Sequence, residues 1–87
     1  MLGLFVSSTE GLLEELARAL ERKDATLAAR QAHQIKGASS YLGAAEVTSL
    51  AAEAETRAKA GELDACRVAL EDLEAAFISV RLEIDSL

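Results

Sequence analysis

The sequence predicts an all-α fold, an antiparallel up-and-down four-helix bundle, and three observations support this prediction. Proline is absent and aromatic residues make up 3% of the chain, whereas the helix formers Ala, Leu, Glu and Arg dominate. Apolar residues recur at spacings of three and four in four successive segments, which is typical of helices that pack at small crossing angles. The segments are joined by very short connections, so sequential helices must lie antiparallel.

The first helix is predicted from about residue 2 to residue 22. Its apolar face contains Val6, Leu13, Leu16 and Leu20. Gly11 costs about 1 kcal/mol in a helix interior, and Ser7 with Glu10 resembles a capping box. We therefore expect a break near Gly11, with residues 2–9 forming a short lead-in helix or an irregular segment.

The second helix is predicted over residues 25–42. Asp24 is expected to cap its first turn, and Gly43 suits the position just past its end. Its apolar face is predicted to contain Ala28, Ala32, Ile35, Ser39 and Leu42. Since three of these five side chains are Ala or Ser, we expect a neighbouring helix to pack closely against this face.

The third and fourth helices follow the same pattern. The third is predicted over residues 45–60, with Gly61 ending it, and the fourth begins near Glu62. The third helix is expected to bury Val47, Ala51, Ala54 and Ala58. The fourth is expected to bury Leu63, Cys66, Leu70, Leu73, Phe77, Val80, Ile84 and Leu87.

Length and charge limit the classes of function. We expect one domain over residues 1–87, because 87 residues form a single modest core. The net charge of −6 argues against nucleic-acid binding and against an anionic membrane surface. No apolar run approaches the ~20 residues of a membrane span, and the lone Cys66 favours a reducing, cytoplasmic setting. Residues 25–45 nevertheless carry Arg30 and Lys36 and no acid, so the second helix is locally basic.

Four residues of the second helix are predicted to share one face. They are His33, Lys36, Gly37 and Ser40, at positions i, i+3, i+4 and i+7. His33 directly follows Ala32 of the apolar face and is therefore rotated by about 100° from it. We expect the imidazole at the edge of the buried face, with its tip in solvent.

This set of side chains suits a phosphorylated imidazole. A neutral imidazole offers a nucleophilic nitrogen near neutral pH, and Lys36 one turn away is expected to offset the charge of a phosphoryl group. Gly37 leaves room beside the ring for another protein's active site. A metal site is not expected, because one His and one Cys cannot complete a closed zinc shell.

The run of residues 32–44, AHQIKGASSYLGA, resembles the signature of histidine-containing phosphotransfer (HPt) domains. That signature is an Ala-His pair, two residues, Lys-Gly, a stretch of small residues, and then an apolar residue with Gly. The resemblance extends over nearly the whole chain, because Asp24 and the run of residues 60–63 also suit the family.

The resemblance implies a role in a two-component phosphorelay. It implies that His33 accepts a phosphoryl group from an aspartyl phosphate on a response-regulator receiver domain and passes it to another receiver. Lys36 would stabilise the phosphohistidine, Gly37 would give clearance, and Glu55 would hold the inner ring nitrogen. Arg30 and Ser40 are expected to contact the partner. No cofactor is expected on this chain, since the receiver supplies Mg²⁺.

Two alternatives stay open at this point. One is the phosphotransfer domain of a chemotaxis-type histidine kinase, a class that resembles the same motif but usually carries an additional helix. A helical adaptor with an incidental histidine is the other alternative.

A hybrid histidine kinase is a further expected partner. Autonomous kinase activity is not expected, because no nucleotide-binding glycine loop is present.

Overall fold

Within residues 2–86, four helices make up the fold. The structure, a computed structural model, describes the backbone of residues 2–86 and the side chains of residues 6–86. The helices are α1 (Leu2–Glu21), α2 (Ala25–Tyr41), α3 (Ala45–Lys59) and α4 (Leu63–Asp85). Each packs against the next in sequence, and α4 closes the ring against α1. This is the predicted antiparallel four-helix bundle, so the predicted fold class is confirmed.

The boundaries of α2 follow from its capping residues. Asp24 Oδ1 accepts a hydrogen bond from the Leu27 amide at 3.0 Å, as expected of an N-cap. At the other end Gly43 has φ +75°, a conformation that only glycine adopts without steric cost. The Ala44 amide then donates to the Ser39 carbonyl at 2.9 Å, which satisfies the last turn.

The predicted break in the first helix is wrong. α1 continues without interruption from Leu2 to Glu21, so Ser7 lies inside it and no lead-in helix exists. Gly11 faces solvent, with nothing within 4 Å of the place where a Cβ atom would be. Thr9 and Leu13 are buried on the opposite face. Packing on both sides of Gly11 outweighs its low helix propensity.

Two other expectations concern the buried faces. Leu42 was predicted to be buried in α2, and this is wrong: it is the C-cap residue and its side chain is 42% exposed. Leu42 keeps near-helical dihedral angles, but it stands at the end of α2, where Tyr41 before it is also exposed, so the end of the helix is less covered than its middle. Leu87, predicted in the apolar face of α4, lies outside the described residues.

The core consists of two kinds of packing. Between α2 and α3 most buried side chains are small, and they include Ala28, Ala32, Ala51, Ala54 and Ala58. On α1 and α4 the buried side chains are mostly large, and they include Leu13, Leu16, Leu20, Leu70, Leu73 and Phe77. Since interhelical distance depends on the side chains at the contact, the alanines favour a close approach of α2 and α3.

Candidate functional site

His33 lies at the edge of the buried face of α2. It stands between Ala32 and Gln34 on the helix, and Ala32 is fully buried. The His33 side chain is 64% exposed. The imidazole therefore has packed residues at its base and solvent around its outer edge, as the helical phase of the sequence predicts.

Glu55 of α3 is the centre of a small network around the imidazole. Its side chain is only 8% exposed, and its two oxygens contact three basic groups. Oε2 lies 3.1 Å from His33 Nδ1 and 3.0 Å from Lys59 Nζ, while Oε1 lies 2.9 Å from Lys36 Nζ. A buried carboxylate requires such compensation, because an unpaired buried charge is strongly unfavourable.

The lysines keep Glu55 ionised. Burial acts to raise the pKa of its carboxyl group, but hydrogen bonds and charge interactions with Lys36 and Lys59 outweigh burial and lower the pKa to about 2. At neutral pH the carboxylate is therefore an acceptor only, and the Nδ1 atom that faces it must carry the proton.

This arrangement determines the tautomer of His33. The Nδ1–H group donates to Glu55 Oε2, so in the neutral ring the lone pair resides on Nε2. Among the described residues no hydrogen bond to Nε2 is found, and the ring is largely exposed. The geometry thus presents a nucleophilic nitrogen to solvent and holds the opposite nitrogen against a buried carboxylate.

The structure places Lys36 and Gly37 on the same side of α2 as His33, but it gives Lys36 a partner that the sequence did not predict. Lys36, 35% exposed, pairs with Glu55 instead of standing unpaired beside the imidazole. Gly37 is exposed and leaves open space, since nothing lies within 4 Å of its missing Cβ atom. The clearance beside the ring that the sequence predicts is present in the structure.

Arg30 and Ser40 lie on opposite sides of His33 along α2. Arg30 lines a shallow groove of about 570 Å³ together with His33, Glu55 and Lys59. Ser40 is exposed and lines a separate depression near the α2–α3 turn. The structure therefore brings Arg30 to the imidazole and its acidic neighbour, but it does not bring Ser40 into the same groove.

Lys59 is the residue that sequence reasoning missed. It follows Glu55 by four residues on α3, and a Glu-Lys pair at this spacing is a known stabilising arrangement on helices. That spacing was the available signal, but Glu55 was assigned from the family resemblance and its position on the next helix, without regard to the residues that follow it. Among residues 6–86 no group of three or more metal-binding side chains is found.

Ser39 has a structural place in the same region. It is fully buried, its hydroxyl donates to the Ile35 carbonyl at 2.8 Å, and it accepts a hydrogen bond from Thr48 of α3 at 2.9 Å. These bonds connect α2 to α3 one to two turns beyond His33. Ser39 thus belongs to the packing of the two helices that carry the site.

One of three comparisons with known proteins identifies a family. The family model described as the Hpt domain matches residues 1–85. No curated protein and no solved structure matches the chain. Within the described part of the chain, no helix combines the length and apolar character needed to cross a membrane.

Proposed function

Because the chain belongs to the Hpt domain family, whose members are phosphocarrier modules of phosphorelay signalling, we propose that His33 carries the phosphoryl group through its Nε2 atom. One observation supports this assignment above all others. The Nδ1 atom lies 3.1 Å from an ionised, buried carboxylate, while the His33 side chain is 64% exposed.

The proposed transfer begins with an aspartyl phosphate on a receiver domain. The Nε2 lone pair attacks phosphorus, the N–P bond forms, and the bond between phosphorus and the aspartyl oxygen breaks, so the aspartate leaves as a carboxylate. Attack places positive charge on the ring, which still holds its Nδ1 proton. The Glu55 carboxylate stabilises that charge, just as a buried carboxylate stabilises an imidazolium in other sites. Transfer to a second receiver reverses these steps.

The other residues have supporting roles in this proposal. Lys36 offsets phosphoryl charge from its position one turn along α2, in addition to its bond with Glu55. Gly37 lets the receiver's active site approach the ring. Arg30 contributes positive charge to docking, which suits the acidic site of a receiver. Ser40 lines a separate depression two turns beyond His33, and its contact with the partner would lie outside the groove that Arg30 lines. The receiver supplies Mg²⁺ and most of the electrostatic stabilisation of the transferred phosphoryl group.

The proposal makes this chain a carrier without kinase activity of its own. Its partners are response-regulator receiver domains, with a hybrid histidine kinase as a further candidate. Cytoplasm is the proposed compartment, because receivers operate there and the lone Cys66 cannot form an intramolecular disulfide.

Transfer of radiolabelled phosphate from phosphorylated receiver domains tests the proposal. The wild-type chain should take up label from at least one receiver, and His33→Gln should take up none while it keeps its helical circular dichroism. His33 is mostly exposed, so the substitution leaves little cavity. If His33→Gln instead loses ~2–5 kcal/mol of stability, as a truncated core residue does, or if it still takes up label, the assignment of His33 is wrong.

A further inference from the structure

Lys59 and His33 contact the same oxygen atom. Glu55 Oε2 lies 3.0 Å from Lys59 Nζ and 3.1 Å from His33 Nδ1, and Lys59 comes from α3 whereas His33 comes from α2. The Lys59 side chain is 67% exposed. It therefore contributes little to the core, and its contact with the site is its bond to Glu55.

We propose that Lys59 is a positioning residue for transfer on His33: it holds Glu55 Oε2 against Nδ1 and thereby keeps Nε2 unprotonated. This inference rests on the proposed function of His33. A lysine near a phosphohistidine can either offset the charge of the phosphoryl group or orient the groups around the ring. In this proposal Lys59 orients the Glu55 carboxylate and does not act on the phosphoryl group.

Lys36 bonds only to Oε1, from α2. The terminal torsion of a glutamate is soft, so the position of Oε2 depends on its own partners, which are His33 and Lys59. Lys59 restrains the second oxygen from α3. With one ammonium on each oxygen, the plane of the carboxylate is fixed toward the ring, as in charge-assisted pairs generally.

Among residues 6–86, Glu55 forms ion pairs with His33, Lys36 and Lys59 and with no other residue. His33 and Lys36 face it from α2, Lys59 faces it from α3, and Arg30 lines the same groove. Loss of Lys59 leaves Lys36 as the cation bonded to a buried carboxylate. Without the Lys59 ammonium the plane of the carboxylate turns away from the ring more often, so the bond from Nδ1–H to Oε2 is formed less of the time and the population of the Nε2–H tautomer rises.

The experiment compares Lys59→Met, Lys59→Arg and the matched control Lys23→Met with the wild-type chain. Lys23, in the α1–α2 turn, makes no ion pair within the described residues. Three quantities are measured: the tautomer of His33 from ring ¹⁵N shifts, the titration of the Glu55 carboxyl by ¹³C NMR, and the rate of phosphorylation by phosphoramidate. In that reaction the P–N bond of phosphoramidate breaks, the Nε2–P bond forms, and ammonia leaves.

We expect Lys59→Met to increase the Nε2–H tautomer, to raise the titration midpoint of Glu55 by roughly one pH unit, and to slow phosphorylation roughly threefold to tenfold, as for a weakened charge-assisted hydrogen bond. Lys59→Arg should restore most of each property, and Lys23→Met should change none. An unchanged tautomer and titration in Lys59→Met would overturn the proposal.

Two further outcomes are informative. If Lys59→Met shortens the lifetime of the phosphohistidine but leaves the tautomer and the Glu55 titration as in the wild type, Lys59 is a counter-ion of the phosphoryl group and the positioning role is wrong. If the wild-type chain takes no phosphate, the proposed function fails. The tautomer and titration still decide in that case whether Lys59 positions Glu55.

Discussion

The two sides of the bundle differ in what they bury. Helices α1 and α4 bury mainly Leu and Phe, whereas α2 and α3 bury mainly Ala together with two hydrogen-bonding side chains, Ser39 and Glu55. The half-buried Thr48 donates to Ser39 at the junction of α2 and α3. The outer surfaces differ as well. α4 exposes Val68, Ile78 and Leu82, while α2 exposes His33 and Gly37.

This difference explains where the chemistry lies. A carboxylate on one helix reaches an imidazole on the next only where the two backbones are close, and small side chains permit that approach. Each large apolar side chain on α1 and α4 buries more apolar area than an alanine does, and burial of apolar area is the main stabilising term. The large apolar side chains of α1 and α4 therefore lie away from the site, and their truncation should lower stability without changing the contacts of His33.

The largest expected effect is on stability, from the α1–α4 side. Leu73 is fully buried in α4, and Leu73→Ala should lower the free energy of unfolding by ~2–5 kcal/mol through lost burial and a residual cavity. The ring tautomer of His33 should not change at temperatures where the variant is folded. Denaturant unfolding and ¹⁵N NMR measure the two quantities. The exposed Leu82→Ala is the control, with a change within about 0.5 kcal/mol.

The α2–α3 side should respond to added volume. Ala51 is fully buried one turn before Glu55, and Ala51→Leu should cost about 1–3 kcal/mol through overpacking. Unlike Leu73→Ala, it should also separate α3 from its neighbours, so the contact between Glu55 and His33 weakens and phosphorylation by phosphoramidate slows. Ala75→Leu on the exposed surface of α4 serves as control. A wild-type rate for Ala51→Leu would show that the close approach of α2 and α3 is not needed at His33.

The sequence was sufficient to predict where the helices begin and end, but it was insufficient to predict the charged side chains that contact Glu55. Asp24, Gly43 and Gly61 have local conformations that mark helix ends, so three connections could be predicted without knowledge of the packing. The predicted break at Gly11 was wrong because buried neighbours stabilise the helix there. Helix propensity alone does not include the free energy of that packing. The partners of Lys36 and the role of Lys59 depend on which way flexible side chains turn across a helix pair. Spacing along one helix does not determine that direction.

The buried carboxylate should make the stability of the α2–α3 side sensitive to acid. The pKa of Glu55 is about 2 in the folded chain, below its ordinary value of 4.5. Its ionised form therefore stabilises the fold above about pH 4.5, and this contribution is lost as pH falls toward 2. We expect a loss on the order of 1 kcal/mol, since solvent weakens the pairing with the exposed Lys59.

Comparison of His33→Gln with the double variant His33→Gln/Glu55→Gln isolates this contribution, because protonation of the imidazole is then absent from both. The unfolding free energy of the single variant should fall more steeply between pH 4.5 and 2.5 than that of the double variant. Parallel pH profiles would mean that the two lysines do not stabilise the carboxylate in the folded state.

The smallest effect on stability comes from two exposed glycines, one on each side of the bundle. Gly11 of α1 and Gly37 of α2 both lie inside helices with open space where a Cβ atom would be. Gly11→Gln and Gly37→Gln should therefore each raise the unfolding free energy by a few tenths of a kcal/mol to about 1 kcal/mol, since Gly is the poorer helix former. Thermal unfolding measures both changes.

Their effects on transfer should differ, and this makes Gly11→Gln the matched control. A Gln side chain at Gly37 lies one turn from His33 and occupies the approach to the ring, so transfer from a phosphorylated receiver should slow. The same substitution at Gly11 leaves the α2 surface unchanged. The Gly11→Gln variant should therefore accept the phosphoryl group at the wild-type rate. Phosphoramidate is small, so its reaction should be slowed less by the new side chain. Relative to the wild type, Gly37→Gln should therefore lose less of its phosphorylation rate with phosphoramidate than with a phosphorylated receiver. Equal transfer by both variants would place the docking surface away from Gly37.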